Sequence, residues 1–587
     1  GSGPPQLLGS RPQGRGLLLS LDLGAGQVQL AVRTRSMPLV QDLVIAMTAA
    51  MRLGVPSEDL VAVLQDYAFG PTRMETWLTP DGITIVNDTA SDDPISVQAA
   101  LDTVASASEE GGRRLFVFGG MGELGDAEAQ EHGLIGRLAA ERGFSQLLLL
   151  PHPARTHTAE AWNALRPEAP AQELPAATAL RDSIRRLAEP GDTVLLKGAA
   201  RQELSAAARG IWESMAPRRL LVDLDAIRDN IARFRALCGP EVAMLAVLKA
   251  WAYGTELARL ATALQDSGID WIGVSAADEG AAVRRAGVHR PVLVMLMDPD
   301  EVDKAVRWRL TPVVYSLSFA RTLVTALQAM GASLEVHLEI ETGMGRVGVT
   351  PEEALETARL LRDSGVVRLR GLMTHLASAD DPAADADSLA QLRRFDAVVA
   401  ALRTELKEPL LIHAAATSGA ARFPASRYGM VRLGLGLYGL HPSPAVAEAI
   451  ELELAVAFVS RLVQVRLCRR GERIGYNGTY EVSAASQRIG IVAAGYNDGV
   501  PWSAGKGGEV MLHGQRLRVL GRVSMDSMAV DLDPVPEAVV GDEVLIFGAH
   551  EGQVLRPEQA ALQAGTIPYD LLVHVDSRRV PRLFRGG

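Results

Sequence analysis

Between residues 219 and 450 the sequence alternates short apolar, β-rich runs with amphipathic helical segments. Residues 351–364 and 388–405 are examples of the helical segments. Eight repeats of one strand and one helix predict a (β/α)8 barrel, because parallel strands need a crossover helix between them. The strand candidates begin near Ala243, Ile272, Val292, Thr311, Leu334, Val367, Leu410 and Met430.

The regions on either side of this barrel have different patterns. Residues 451–587 consist of short strand candidates joined by glycine-rich turns, which predicts a separate, mainly β domain. Residues 77–215 hold four buried-strand candidates with helices between them, which predicts a smaller α/β domain. The expected fold class is therefore α/β multidomain. Residues 1–76 hold one clear strand and two helices, at 17–23, 40–53 and 57–67.

Composition excludes several classes of function. The 587 residues include 59 basic and 70 acidic ones, and a net charge of -11 is the wrong sign for a nucleic-acid scaffold. Only two cysteines occur, so we expect neither a disulfide framework nor a cysteine-rich zinc site, and we predict no metal centre. No apolar stretch is long enough to cross a membrane. We expect a cytoplasmic enzyme that acts on small molecules.

Lys249 closes the first apolar run of the predicted barrel and is followed four residues later by Tyr253. Desolvation disfavours the charged form of a lysine, so such an amine can attack a carbonyl. This chemistry suggests a Schiff base with pyridoxal phosphate (PLP). A lysine at a strand end can equally carry its charge out to solvent, so the position alone does not decide between the two interpretations.

Other polar residues follow the later strands of the predicted barrel. Arginine could make an ordinary ion pair at such a position, and histidine could be a core residue bonded to a carbonyl. Active sites of these barrels lie at the carboxyl ends of the strands, and all of these residues are predicted to lie there. We therefore predict one active site from Lys249, Tyr253, Arg346, His375, Thr417, Arg432 and Gly434.

Residues 219–587 resemble the alanine racemases, a PLP-dependent family of fold type III, across both predicted domains. The matching motifs occur in the order that the family has. They are Ala-Val-Leu-Lys249-Ala-Trp-Ala-Tyr253-Gly, Glu341-Thr-Gly-Met-Gly-Arg346-Val-Gly, Thr374-His375-Leu-Ala-Ser-Ala-Asp380, Met430-Val-Arg432-Leu-Gly-Leu-Gly-Leu-Tyr438-Gly, Ile474-Gly-Tyr476-Asn-Gly-Thr-Tyr480, Gly495-Tyr496-Asn-Asp498-Gly, Gly521-Arg522-Val-Ser-Met525-Asp526-Ser527 and Gly565-Thr566-Ile567-Pro-Tyr569.

The resemblance implies a catalytic role for four residues. Lys249 would hold PLP and act as the base on one face of the substrate, and Tyr476 of a second subunit would act on the other. Two such groups are needed because racemisation removes a proton from one face and returns it to the opposite one. Arg432 would face the pyridine nitrogen, and His375 would lie between Arg432 and Tyr476. The active species would be a homodimer with shared active sites that interconverts L-alanine and D-alanine.

The resemblance also implies which residues bind the cofactor and the substrate. Arg346 would contact the phenolic oxygen of PLP and the substrate carboxylate, and the Met525–Asp526 segment would lie at that carboxylate. The PLP phosphate would be held by Tyr253, Thr417, Tyr569 and the amides of Gly434 and Leu435.

The chain departs from the family pattern at four positions. Many members carry a lysine that becomes carbamylated and braces the arginine, where this chain has Glu339. A glutamate supplies the same negative charge without modification, so we expect a charge-assisted contact with Arg346 of about 2.7–2.9 Å. Trp251 replaces the commoner asparagine and Ala416-Thr417 replaces Asn-Ser, and both changes could alter the packing of the cofactor.

Residues 70–205 resemble the C-terminal domain of a Mur ligase, most closely the enzyme that adds D-Ala-D-Ala to the UDP-MurNAc-tripeptide. The matching motifs are Arg73-Met-Glu75, Asn87-Asp88-Thr-Ala-Ser-Asp-Asp-Pro94, Gly119-Gly-Met-Gly-Glu-Leu-Gly125 with His132, and Leu196-Lys197-Gly198. No Gly-x-x-Gly-Lys-Thr phosphate loop occurs in the sequence, and Ala90-Ser91 replaces the adenosine-contacting pair. We expect a ligase remnant without catalysis, with residues 1–76 as the remnant of the central domain.

The function predicted from the sequence is an alanine racemase for peptidoglycan synthesis. One alternative is a PLP-binding protein without turnover, although such proteins resemble the barrel alone and lack the domain that carries Tyr476. A second is a fragment of a bifunctional peptide ligase and racemase. An ATP-dependent ligase is disfavoured because the phosphate loop is missing. The sequence does not indicate whether amino acids other than alanine are accepted.

Overall fold

The computed structural model describes residues 5–13, 16–23, 26–32, 36–64, 72–79, 82–107, 112–199, 203–208, 211 and 217–585. The chain divides into two compact units, Gly1–Ala216 and Pro217–Gly587. Among the described residues, no helix combines the length and the apolar character needed to cross a bilayer.

The second unit contains the predicted barrel of eight parallel strands. Its strands begin within one residue of the expected positions, because each is a short apolar run that is buried almost throughout. The last and first strands pair directly, whereas the seventh and eighth meet through one bridge between Ala416 and Arg432, which leaves the barrel nearly closed. The strands are Ala243–Val247, Trp271–Val274, Val292–Val294, Thr311–Val314, Leu334–Glu339, Val367–Met373, Leu411–His413 and Met430–Leu433.

Helices connect successive barrel strands and cover the outside of the barrel. The two helices singled out from the sequence are Ala354–Asp363 and Asp385–Leu406. Apolar residues of these helices and of the strands form one continuous buried core. The other helices of this region are Leu224–Cys238, Leu257–Leu264, Ala277–Arg285, Val302–Arg307, Leu317–Met330, Thr417–Arg422 and Pro444–Ala449, and Lys249–Tyr253 forms a short turn.

The mainly β region after the barrel centres on a nine-stranded sheet. Arg219–Asp223 belongs to this sheet, between the long strand Val456–Arg469 and the last strand, Arg582–Arg585. The sequence assigns this segment to the barrel, whereas in the structure it pairs with strands of the β region more than 230 residues away. The remaining strands of this sheet are Ser486–Val492, Glu509–Leu512, Gln515–Leu520, Met528–Asp531, Glu543–His550 and Gln553–Leu555. The region also contains a separate two-stranded sheet, formed by Arg473–Ile474 and Tyr480–Glu481. Its two helices are Pro557–Ala564 and Pro568–Val573.

The first unit holds a six-stranded sheet, parallel except at the edge strand Glu75–Leu78. Four of its strands match the predicted ones: Thr84–Asn87, Arg114–Phe118, Gln146–Leu149 and Thr193–Lys197. A short strand, Gln172–Glu173, ends the sheet. Its helices are Pro94–Ala107, Glu128–Glu141, Arg155–Leu165 and Leu180–Leu187.

The N-terminal segment of the first unit contains more strands than the sequence indicates. The predicted strand is present at Gly16–Asp22, but it pairs on both sides with antiparallel strands, Gln6–Gln13 and Gln27–Val32. Polar residues interrupt both added strands, and their pairing depends on backbone hydrogen bonds that side-chain patterns do not reveal. The two predicted helices are Met37–Arg52 and Ser57–Leu64.

Candidate active site

A cavity of about 490 Å³ lies at the carboxyl ends of the barrel strands. Residues from the loops after several strands line it, together with residues 567–569 of the β region. Such a volume suits a small cofactor and substrate. Eight of the residues predicted from the sequence line this cavity: Lys249, Tyr253, Arg346, His375, Thr417, Arg432, Gly434 and Tyr569.

Lys249 extends into the cavity from the turn that follows the first strand. The partial enclosure of the amine lowers its pKa, and the nearby charge of Arg346 lowers that pKa further. The amine is therefore more easily deprotonated than a lysine in water, as the chemistry of a carbonyl-binding lysine requires.

The turn after Lys249 has an uncommon backbone conformation. Ala250, Trp251, Ala252 and Tyr253 all have φ between 53° and 59°, so four consecutive non-glycine residues are left-handed. This conformation costs about 1–2 kcal/mol per residue. Bonds from surrounding groups hold the turn, including one from the Tyr438 hydroxyl to the Ala252 carbonyl at 2.7 Å.

Arg432 lies on the eighth strand and is almost fully buried. Its guanidinium donates to the carbonyls of Thr374 and Ala414, at 2.8 and 2.9 Å, and to Nδ1 of His413, at 2.8 Å. It also donates to Nδ1 of His375 at 3.2 Å. Burial lowers its pKa to about 10, so it remains charged at neutral pH.

His375 is neutral in this arrangement. Burial, and the adjacent charge of Arg432, lower its pKa to about 3. Its Nδ1 accepts from Arg432, which leaves the Nε2 proton available to a further group. The positive charge of this pair therefore lies on Arg432 and not on His375.

Arg346 is positioned by the loop that precedes it. The Glu341 carboxylate accepts backbone hydrogen bonds from Gly343, Met344, Gly345 and Arg346 itself. Four donors on one carboxylate fix the loop, and the half-exposed Arg346 side chain extends from it into the cavity.

Glu339 ends the fifth strand, and only 4% of its side chain is exposed. Its carboxylate lies 3.9 Å from Nη2 of Arg346, so the two form an ion pair. The expected distance of about 2.7–2.9 Å between the two side chains is therefore wrong. Glu341 fixes the backbone of the loop from which the Arg346 side chain extends, and the carboxylate of Glu339 lies farther from it than expected. Burial raises the pKa of Glu339 to about 7, although Arg432 and Arg346 pull it down.

The loop after the eighth strand forms a cradle with Thr417. The Thr417 hydroxyl accepts from the amides of Gly434 and Gly436, at 3.3 and 3.4 Å. A Cβ atom on Gly434 would lie 2.6 Å from the Tyr253 hydroxyl, so only glycine fits. Leu435, between the two glycines, is fully buried.

Two tyrosines bring hydroxyl groups to the same end of the cavity. The rings of Tyr253 and Tyr569 lie 5.9 Å apart, centre to centre. Burial raises the pKa of both phenols, that of Tyr569 to about 12, so both stay protonated and can donate hydrogen bonds.

Four predicted site residues are not among those that line the cavity of their own chain: Leu435, in the cradle loop, and three residues of the β region. Tyr476 and Met525 lie in the β region, with 65% and 50% of their surfaces exposed. Asp526 follows Met525 and accepts from Nη2 of Arg579 at 2.6 Å. The backbone around Met525 is held by residues 495–499, since Asn497 donates to the Met525 carbonyl at 3.0 Å.

Sequence reasoning missed three residues that organise the site. Glu279 bonds to the turn after Lys249, Glu341 shapes the Arg346 loop, and His413 links Arg432 to His337 at 2.8 Å. Glu341 belongs to a quoted motif and could have been found from it. Glu279 and His413 act through partners distant in the sequence, and no local pattern marks them.

The motifs in the first unit also come together in space. Lys197 is fully buried and donates to Asp88 at 2.7 Å and to Ser91 at 3.2 Å. His132 is buried and accepts from the Met121 amide at 3.1 Å, which fixes the glycine-rich loop. Hydrogen bonds within the first unit therefore account for the lysine, the aspartate and the histidine of these motifs. Among the residues that the structure describes in this unit, none forms a phosphate loop.

Family models match three stretches of the chain. Residues 222–442 match the N-terminal domain of alanine racemase, and residues 455–584 match its C-terminal domain. Residues 72–200 match the glutamate ligase domain of Mur ligases.

Individual proteins match the second unit along their whole length. The alanine racemase of Synechocystis is 33% identical over 373 residues, which cover 63% of this chain and 100% of that protein. The alanine racemase of Symbiobacterium thermophilum is 34% identical and covers 64% of this chain, with 98% of its own length. Among solved structures, the alanine racemase of Streptomyces coelicolor A3(2) is 29% identical, with a TM-score of 0.61 over 64% of this chain and 100% of that one.

Proposed function

We propose that this chain, which belongs to the alanine racemase family, interconverts L-alanine and D-alanine with PLP bound in the barrel cavity. The observation that carries the proposal is the position of Lys249, whose amine lies with a lowered pKa in a cavity beside Arg346 and Arg432. An amine of this kind both holds a carbonyl cofactor and exchanges a proton.

The residues around the cavity fit PLP. Gly434 provides a cradle that a side chain would fill, and the hydroxyls of Tyr253, Tyr569 and Thr417 are suited to the phosphate. Arg432 has only donors and stays charged, so it would bond to the pyridine nitrogen as an acceptor and keep that nitrogen unprotonated. When bound, PLP withdraws electrons from the α-carbon and so makes its proton acidic.

The protein's own groups move that proton. Arg346 binds the substrate carboxylate and orients the α-carbon towards Lys249, whose amine exchanges the proton on one face. Tyr476 exchanges it on the other face, with His375 between Tyr476 and Arg432. A second copy of the chain brings Tyr476 and Met525 to the site, a proposal supported by their exposure away from the cavity of their own chain. The active species is thus a homodimer with shared sites.

D-alanine is a building block of peptidoglycan, and we assign the racemase to that synthesis. The match of residues 72–200 to a Mur ligase domain supports this assignment, since those ligases act in the same process. The first unit acts as a non-catalytic remnant, because the sequence lacks the phosphate loop that ATP would need.

Purified protein tests the proposal directly. Its absorbance should show PLP joined to a lysine, and L-alanine should yield D-alanine. Lys249→Ala should lose both, whereas Lys304→Ala, at an exposed ion pair on the barrel surface, should lose neither. Visible absorbance without turnover in the unchanged protein would favour the PLP-binding alternative. Absence of PLP binding would contradict both.

A further inference from the structure

The left-handed turn that carries Lys249 is held by a carboxylate from the next loop of the barrel. Glu279 lies in the helix Ala277–Arg285, after the second strand, and is 5% exposed. Its Oε1 accepts the amide hydrogen of Trp251 at 2.9 Å. Trp251 is one of the four left-handed residues that immediately follow Lys249.

The second oxygen of Glu279 anchors the carboxylate itself. Oε2 accepts from the amide and the hydroxyl of Ser275, at 2.9 and 2.8 Å, and from the amide of Ala276, at 3.3 Å. The side chain therefore connects the start of one helix rigidly to the turn after another strand. A carboxylate at this position stabilises its own helix by capping the first amides, and that role does not require the bond to Trp251.

We propose that Glu279 is a positioning residue for Lys249: its carboxylate stabilises the left-handed turn and so directs the lysine amine into the cavity. The Trp251 amide is two residues from Lys249, so a change in this bond moves the lysine backbone directly. The buried Tyr438 hydroxyl holds the same turn from its other side, through the Ala252 carbonyl. This inference rests on the proposed function of Lys249 and adds the residue that orients it.

Glu279→Gln tests the proposal with almost no change in volume. The amide has one acceptor oxygen and one donor nitrogen, so it cannot satisfy the four donors that the carboxylate binds. Glu353→Gln is the matched control, because Glu353 also accepts from a neighbouring amide and hydroxyl, those of Thr350 at 3.2 Å, and among the described residues its carboxylate bonds only within its own loop.

Hydrogen exchange measured by mass spectrometry reports on the stability of the turn, and the measurement does not depend on racemase activity. The peptide containing Trp251 should exchange faster in Glu279→Gln than in the parent or in Glu353→Gln, with PLP present or removed. When PLP is added to the variant from which PLP has been removed, the absorbance of lysine-bound PLP should appear more slowly than in the parent treated in the same way. In turnover, kcat should fall about 10- to 100-fold, while KM for alanine changes less than about threefold.

The proposal would be overturned if Glu279→Gln changed neither the exchange at Trp251 nor kcat. This holds even if the variant unfolds at a lower temperature, because Glu279 would then stabilise the fold without positioning Lys249. If Glu279→Gln does not fold, Tyr438→Phe loosens the same turn and should give the same pattern of exchange and kcat. If the parent has no racemase activity, the proposed function fails, whereas the exchange and absorbance measurements still decide whether Glu279 holds the turn.

Discussion

The carboxylate of Glu339 and the guanidinium of Arg346 form an ion pair at 3.9 Å, on the wall of the cavity that holds Lys249. The glutamate is buried, and the arginine is half exposed and extends into the cavity. The pair places a carboxylate that is ionised above about pH 7 beside Arg346, the residue proposed to bind the substrate carboxylate. Family members that carry a carbamylated lysine obtain such a charge by modification, whereas this chain encodes it.

Glu339→Gln should change stability in a pH-dependent way. Folding raises the pKa of Glu339 from 4.5 to about 7, because burial penalises the charged form. The neutral carboxyl therefore favours the folded state below pH 4.5, and this contribution is lost as the pH rises through about 7. Thermal unfolding should show the variant equal to the parent at low pH and more stable above about pH 7. Glu335→Gln, exposed on the same strand, should show no such difference.

The same substitution should weaken alanine binding at alkaline pH. Above about pH 7 the ionised Glu339 restrains Arg346, and the amide cannot do so. KM should rise about threefold to tenfold in the variant, which a loss of about 1 kcal/mol in binding free energy would produce.

The activity of the parent should not respond to bicarbonate, whereas the activity of Glu339→Lys should increase when bicarbonate is added. An unchanged KM at every pH would contradict the bracing role.

Tyr476→Phe should keep PLP but lose racemisation by about 10²- to 10⁴-fold, the usual contribution of a general acid or base. Solvent exchange of the α-proton should fall more for one enantiomer than for the other, because Lys249 still serves its own face. Tyr480→Phe is the control, since that hydroxyl bonds to Gln487 at 2.8 Å within the β region. Equal, small losses for both enantiomers would refute the division of labour.

Mixing Lys249→Ala with Tyr476→Phe should restore activity. In each mixed dimer one site contains both intact residues, and random exchange makes half of the dimers mixed, so about one quarter of the parent activity is expected. Native mass spectrometry would establish that subunits have exchanged. Exchange without recovered activity would show that the two residues do not serve one site across a dimer.

Gly434→Ala should weaken PLP binding by about tenfold or more, a loss of about 1.4 kcal/mol. The new Cβ atom would approach the Tyr253 hydroxyl to 2.6 Å, so the cradle must open. Adding Tyr253→Phe to this variant removes the clashing oxygen, and the double variant should lose less affinity than the two single losses combined. Strictly additive losses, measured by titration of PLP, would exclude the clash as the cause.

The sequence by itself determined the barrel, the order of its strands and most of the cavity. Each strand is a short, mostly apolar run, and parallel strands bring their carboxyl ends to one face whatever their side chains. Lys249, His375 and Arg432 could therefore be expected together. The motif order across both regions further indicated the family, which the match of residues 222–442 and 455–584 shows.

Only the tertiary structure decided the contacts between distant segments. Arg219–Asp223 pairs with strands near residues 456 and 582, and Glu279 bonds to the turn at Trp251. The distance between Glu339 and Arg346 likewise depends on how Glu341 holds the intervening loop. A local pattern reports the periodicity of one segment, whereas hydrogen bonds and ion pairs depend on distances of a few tenths of an ångström between segments that only folding brings together.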